Sequence, residues 1–234
     1  MPNPSGPYPG RQVFLGLTTS GKPCFVYLVT GRSPESRQRK AVARENSVIM
    51  GPLGNAQYDP LRHYTAVKYD NTSGIAAVTN GIQTEAIFET YKLLYNVGTP
   101  PTQEFIAKIM DGARAEPDSL HTPRVAGVIT GKEKPIFILS IITDGVPAAA
   151  YPVAADAGHI AGVSVYKGDM DKPEPTNPTA RLSWLEFSGS TPQELAKFLF
   201  EMSAADYKGD DIRVCTVSGI YSDGAWHTAI INRF

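Results

Sequence analysis

Cysteine is nearly absent. Cys24 and Cys215 are the only two, too few for a disulfide scaffold and without the Cys-x-x-Cys spacing of a metal or redox pair, which suits a reducing, cytoplasmic setting. Neither sign of charge is in excess. A net charge of −1 and a pI near 6.4 exclude a global pull toward nucleic acid or an anionic membrane, so any anion must be held by a local cluster and the expected partner is a small molecule. No apolar run approaches the length of a bilayer span, and the Pro- and Gly-rich stretch from Met1 to Gly10 has no basic-then-apolar signal pattern, so a soluble protein is expected.

Histidine is scarce as well. His63, His121, His159 and His227 show no close pairing of the kind zinc needs, and no Gly-x-Ser-x-Gly elbow accompanies them; no metal and no serine triad is expected. Gly127 to Lys132 looks like a phosphate loop, but it is one residue short between its glycines and has Glu133 where Ser or Thr must hold magnesium. A strand followed by a turn is the simpler reading. Asn71-Thr72-Ser73 matches a glycosylation sequon, and without a secretory signal it reads as a polar turn.

What the chain does have is enough apolar material for a sizeable core: 42% of 234 residues are hydrophobic, with no repeat and no composition break, so one domain over 1–234 is expected. Short β-branched and aromatic runs bounded by Gly, Asn, Asp or Pro predict strands at 13–19, 24–30, 41–50, 63–69 and 74–79. The period then lengthens, predicting helices over 84–97 and 102–113, the second opened by Pro100-Pro101. Further strands are predicted at 124–130, 135–143, 148–154, 160–166 and 181–187, with 168–178 as a surface loop. A last helix is predicted at 191–207, capped by Ser190 or Thr191 with Pro192 and Glu194 in its first turn. Strands 213–221 and 225–232 follow, joined by the hairpin signal Ser222-Asp223-Gly224. Strands in runs, broken by two helices and then one, exclude a doubly wound parallel sheet and predict an α+β fold of mainly antiparallel sheets.

Five segments carry candidate chemistry. Gly31-Arg32-Ser33-Pro34-Glu35-Ser36-Arg37 follows a strand end, where Gly31 lets the chain turn and two arginines suit a phosphate or carboxylate; the same composition also describes solvated surface. Tyr64 alternates with Ala66 and Lys68 on one strand face, opposite His63, Thr65, Val67 and Tyr69. Taken alone it is more often a sheet tyrosine than a catalyst. Asn80-Gly81 reads either as a hairpin turn with positive φ or, because a helix follows, as a turn offering backbone N–H groups and an amide to a ligand. Glu116-Pro117-Asp118 is a pair of loop acids, ordinarily solvated. Leu120-His121-Thr122-Pro123-Arg124 ends in an arginine aimed by a stiff proline segment.

The order and spacing of these segments, from Arg32-Ser33 and Arg37 through Tyr64 and Asn80-Gly81 to Glu116 and Thr122-Pro123-Arg124, resembles the archaeal-type IMP cyclohydrolase family, closely over 13–131 and loosely beyond. The resemblance implies a four-layer αββα arrangement of two mainly antiparallel sheets, like that of the N-terminal nucleophile hydrolases. It implies closure of 5-formamidoimidazole-4-carboxamide ribonucleotide to IMP with loss of water, without cofactor or metal. It also implies a catalytic set of Tyr64, Glu116 and Arg32, and substrate contacts from Arg32, Ser33, Arg37, Asn80, Gly81, Thr122 and Arg124. No Cys, Ser or Thr follows Met1, so the autoprocessed nucleophile of the wider fold class is not expected. A purine-nucleotide sensor and an amidohydrolase with an exposed N-terminal nucleophile are the other classes considered. The purine nucleotide is the expected partner, nucleic acid and membrane are not, and homo-oligomerisation stays open.

Overall fold

The computed structural model describes residues 8–132 and 134–234, so the first seven residues of the Pro- and Gly-rich stretch, and Glu133, lie outside the described residues. The chain forms two large antiparallel sheets. The six-stranded sheet runs in the order Ser183–Glu186, His159–Ser164, Arg11–Leu17, Pro23–Thr30, Arg213–Ser222, Ala225–Asn232. The seven-stranded sheet runs Arg39–Arg44, Ser47–Pro52, Thr65–Asp70, Ile75–Thr79, Arg124–Thr130, Ile136–Thr143, Val146–Val153. Among the described residues there are four helices: α1 (Pro34–Arg37), α2 (Thr84–Asn96), α3 (Gln103–Ala113) and α4 (Pro192–Met202).

Strand alternation decides what packs where. Val13, Leu15, Phe25, Tyr27 and Val29 of the first sheet share one core with Ala66, Val78, Val125 and Ile129 of the second, so the sheets bury a face against each other. Gly127 marks how closely they approach, since a Cβ there would lie 2.8 Å from Val13 Cγ1. The residues of opposite parity face helices. Cys24, Val26 and Leu28 meet Leu195 and Leu199 of α4, while Ala77, Ala126 and Val128 meet Ile87, Tyr91 and Ile106 of α2 and α3. Central strands covered on both faces become continuous apolar runs, which is why Pro23–Thr30 and Arg124–Thr130 are buried throughout.

Several sequence expectations are corrected. The segment 41–50 is a hairpin, Arg39–Arg44 paired with Ser47–Pro52, and not one strand. The helix expected to reach 207 stops at Met202. Asp206–Tyr207 and Asp210–Asp211 instead form a small ladder around Lys208 and Gly209, whose φ angles of 53° and 87° suit a tight reversal. A register shift near Val48 opposes Val48 to Val67 and Ile49 to Thr65, leaving Ala66 as the extra residue of a bulge. The bulge breaks the expected alternation: Tyr64, Ala66, Val67 and Tyr69 all join the inter-sheet core, while Lys68 turns to Glu85 and Glu89 of α2. Tyr64 and Lys68 therefore do not share a face.

Candidate active site

Antiparallel order brings strand starts and strand ends to one edge of both sheets. Arg11, Arg39 and Arg124 open their strands there, and Thr30 and Thr79 close theirs. Arg11 has the parity of Val13 and Leu15, and Arg39 that of Ala41, so both point into the inter-sheet space at its open end. Arg124 has the parity of Ala126 and Val128 and comes from the helix side. A cavity of about 280 Å³ lies at this end, walled by Arg11, Arg32, Arg39, Arg62, Glu116 and Tyr166 among others. This is near the lower limit of small-molecule pockets.

Glu116 organises the buried end. It is 2% exposed and takes a two-point ion pair from Arg11, at 2.8 and 2.9 Å, with Arg124 Nη1 at 3.6 Å from the same carboxylate. Two guanidiniums hold this carboxylate in place. Burial alone would pull the Arg11 pKa down, but Glu116, together with Tyr64 and Tyr27, outweighs that and leaves it raised. Arg124 is lowered, by burial first and by the repulsion of Arg11 next, with Glu116 offsetting only part. Both remain charged.

Arg39 differs from these. It is 5% exposed and lines the cavity, yet no hydrogen bond or ion pair to a described residue reaches its guanidinium, and its Nε is buried without a partner. A guanidinium in that state is available to an anion that enters the cavity. Arg32 donates to the carbonyl of Met170 at 2.7 Å and to that of Asp171 at 3.3 Å; carbonyls orient a guanidinium without neutralising it. Arg62, at the more open side, is paired with Asp59 at 2.8 Å.

The structure brings together Arg32, Ser33, Glu116 and Thr122 of the expected set on the cavity wall, and does not bring the others there. Arg37 is a brace. It donates to the carbonyls of Gly31 and Arg32 and to Asp210 at 2.5 Å. Ser33 caps α1 in a reciprocal box with Ser36, and Gly31 is needed because a Cβ would sit 2.4 Å from Ser36 Oγ, not because the turn demands positive φ. Asn80 and Gly81 do not form a positive-φ turn either. The Asn80 amide is consumed internally, donating to the Pro123 carbonyl at 3.0 Å and accepting from Val125 N–H at 2.8 Å and from Gln83 at 3.2 Å. Gly81 leaves space for Arg124, whose Nη1 would lie 2.0 Å from a Cβ. Both position Arg124 and Arg11 instead of facing the cavity.

Tyr64 is also off this wall. Its hydroxyl shares a 2.6 Å hydrogen bond with that of Tyr27, and its ring lines a smaller neighbouring cavity of about 190 Å³ with His63 and Gly81. Burial first, and Tyr64 next, hold the Tyr27 phenol well above its usual range. Sequence reasoning missed Arg11, Arg39, Tyr8, Tyr166 and Gln83. The signal for Arg11 was present: the alternation of Val13 and Leu15 extends back to it. Among the described residues no three His, Cys, Asp or Glu side chains cluster as metal ligands, and no helix is long and apolar enough to cross a membrane.

A family model described as "IMP cyclohydrolase-like protein" matches residues 8–225. Curated relatives named IMP cyclohydrolase include one from Methanococcus maripaludis (strain S2), 27% identical over 93% of this chain and 96% of its own length. Another, from Methanocella arvoryzae, is 26% identical over 87% and 94%. A third, from Methanocaldococcus jannaschii, is 24% identical over 93% and 96%.

Proposed function

The chain belongs to the IMP cyclohydrolase-like family, and from that membership and the arginine-walled cavity we infer that it closes 5-formamidoimidazole-4-carboxamide ribonucleotide to IMP. The carboxamide nitrogen attacks the formyl carbon of the same molecule, and the resulting carbinolamine loses water. Because both reacting groups are already tethered, holding them in the attack conformation supplies much of the acceleration. Arg39 is the observation that carries the reading: a buried guanidinium lacking a described partner, facing a cavity, calls for an anionic ligand such as the 5′-phosphate.

Arg39 and Arg32, with the Ser33 hydroxyl, hold the phosphate. Glu116, fixed by Arg11 and Arg124, keeps lone pairs free to accept from the carboxamide N–H, while the positive charge around it favours the oxyanion that develops at the formyl carbon. Tyr64 acts through its neighbours, supporting the Arg11–Glu116 pair from the Tyr27 side. The paired sheets with helices on their outer faces fit the four-layer αββα, N-terminal nucleophile hydrolase-like arrangement, and one domain is the simplest unit.

The test is ultraviolet detection of IMP formed from the synthetic formamido nucleotide by purified protein, with and without a chelator. IMP should form at equal rates in both. Binding of IMP without turnover of the formamido nucleotide would make the protein a sensor and overturn the inference.

A further inference from the structure

Three cavity side chains are linked in a chain that the roles above leave unused. The Tyr166 hydroxyl lies 2.5 Å from Thr122 Oγ1. Thr122 Oγ1 in turn donates to Asp118 Oδ2 at 2.6 Å, and Thr122 N–H donates to Asp118 Oδ1 at 2.8 Å. The direction of the chain follows from proton counting. Thr122 has one hydroxyl proton and Asp118 takes it, so the phenol must donate to Thr122 and keeps its own lone pairs free. Tyr166, Thr122 and Asp118 all line the cavity, with Arg11 and Glu116 in the same wall. The Tyr166 ring is held by stacking on Tyr8 at 5.7 Å, and Thr122 and Tyr166 are buried while Asp118 is only half-buried. One end of the chain is therefore buried on the cavity wall, and the other reaches toward the surface.

We propose that Tyr166, Thr122 and Asp118 relay the proton that ring closure must move, with Tyr166 as the catalytic residue and Thr122 and Asp118 acting through it. The proposal rests on the cyclohydrolase reading. As the carboxamide nitrogen bonds to the formyl carbon, its proton passes to the Tyr166 oxygen, and the formyl oxygen takes a proton from solvent to become the carbinolamine hydroxyl. The phenol proton passes to Thr122 Oγ1, and the threonine proton to the Asp118 carboxylate. In dehydration the three transfers reverse, and the proton delivered from Tyr166 leaves with the carbinolamine hydroxyl as water. The formamido nitrogen's electron pair then closes the C–N double bond as its own proton is lost to solvent, and the carboxamide nitrogen keeps its remaining proton. No oxidant or co-reactant is required. Glu116 is already engaged by Arg11 through both carboxylate oxygens, with Arg124 at 3.6 Å.

The experiment measures IMP formation by the parent protein and by Tyr166→Phe, Asp118→Asn, Thr122→Val and Thr122→Ser, with IMP affinity measured for each. The parent must form IMP; if it does not, the cyclohydrolase reading fails before the relay is tested. Given an active parent, the phenylalanine, asparagine and valine variants should lose kcat by roughly 100-fold or more with KM and IMP affinity within a few-fold, and Thr122→Ser should retain most activity. In mixed light and heavy water, the parent rate should fall along a curve, reporting several protons in flight, and the residual Thr122→Val rate along a straight line. Parent-like kcat in Tyr166→Phe, or the same straight line in the parent, overturns the relay. Loss of IMP affinity matching the loss of kcat would also overturn it, reducing the three residues to binding or structural roles.

Discussion

A guanidinium taken out of water with no carboxylate beside it costs folding free energy, and Arg39 is in that position among the described residues. Arg39→Met keeps the apolar stem and removes the charge. The free protein should then gain roughly 1–2 kcal/mol in denaturant unfolding, while IMP affinity falls about 10-fold or more through loss of a charge-assisted contact. A variant destabilised by the change would show that Arg39 is satisfied inside the protein. Tyr64→Phe removes only the hydroxyl that meets Tyr27 at 2.6 Å. With Tyr64 off the cavity wall, kcat should fall by roughly 10-fold, less than for Tyr166→Phe, with the fold intact. Equal or larger loss at Tyr64 in steady-state assays would return it to the reacting centre. At this scale the sequence was only partly legible: Arg32, Ser33, Glu116 and Thr122 reach the cavity, but a motif does not say which way a guanidinium points. Arg37 and Asn80 lie in the right segments and spend their polar atoms on the protein itself.

Two helix starts use the same chemistry in different places. Ser33 and Ser36 form a reciprocal cap on α1, and Thr191 and Glu194 form one on α4. Ser33→Ala and Thr191→Ala should each cost about 1 kcal/mol of stability. Only Ser33→Ala should raise KM, because its hydroxyl also meets the phosphate beside Arg32; kinetics and thermal melts on the two variants separate the effects, and equal kinetics would detach Ser33 from binding. Element reading succeeded where local pattern and tertiary burial agree. The strands Arg124–Thr130 and Ala225–Asn232 have the bounds expected from sequence, and the start of α2 at Thr84 was plain from the change of period. It failed where the cue was weak or long-range. The reversal at Glu45-Asn46 lacks a glycine, so 41–50 reads as one strand where a hairpin forms. The bulge at Ala66 depends on the pairing partner Ser47–Pro52 and leaves no local mark.

The whole molecule sets the site by pressing two antiparallel sheets together and leaving one end of the gap polar. Gly127 sits at their closest approach, with Val13 and Leu15 side chains within 2.8–3.1 Å of where a Cβ would be. Gly127→Ala should therefore lower stability by roughly 1–3 kcal/mol through overpacking, seen as a shifted urea midpoint; a midpoint equal to the parent's would mean the sheets part more easily than this packing implies. Two-sheet architecture was legible in sequence because strands cluster in runs around helices. Which strand ends converge was not, since that depends on the pairing order of elements far apart in the chain.

A structure of the protein with IMP bound tests the central claim most directly. The account predicts the 5′-phosphate at about 3 Å from the guanidiniums of Arg39 and Arg32, with the hypoxanthine ring between Glu116 and Tyr166. IMP bound elsewhere, or with its phosphate away from both arginines, would contradict the account.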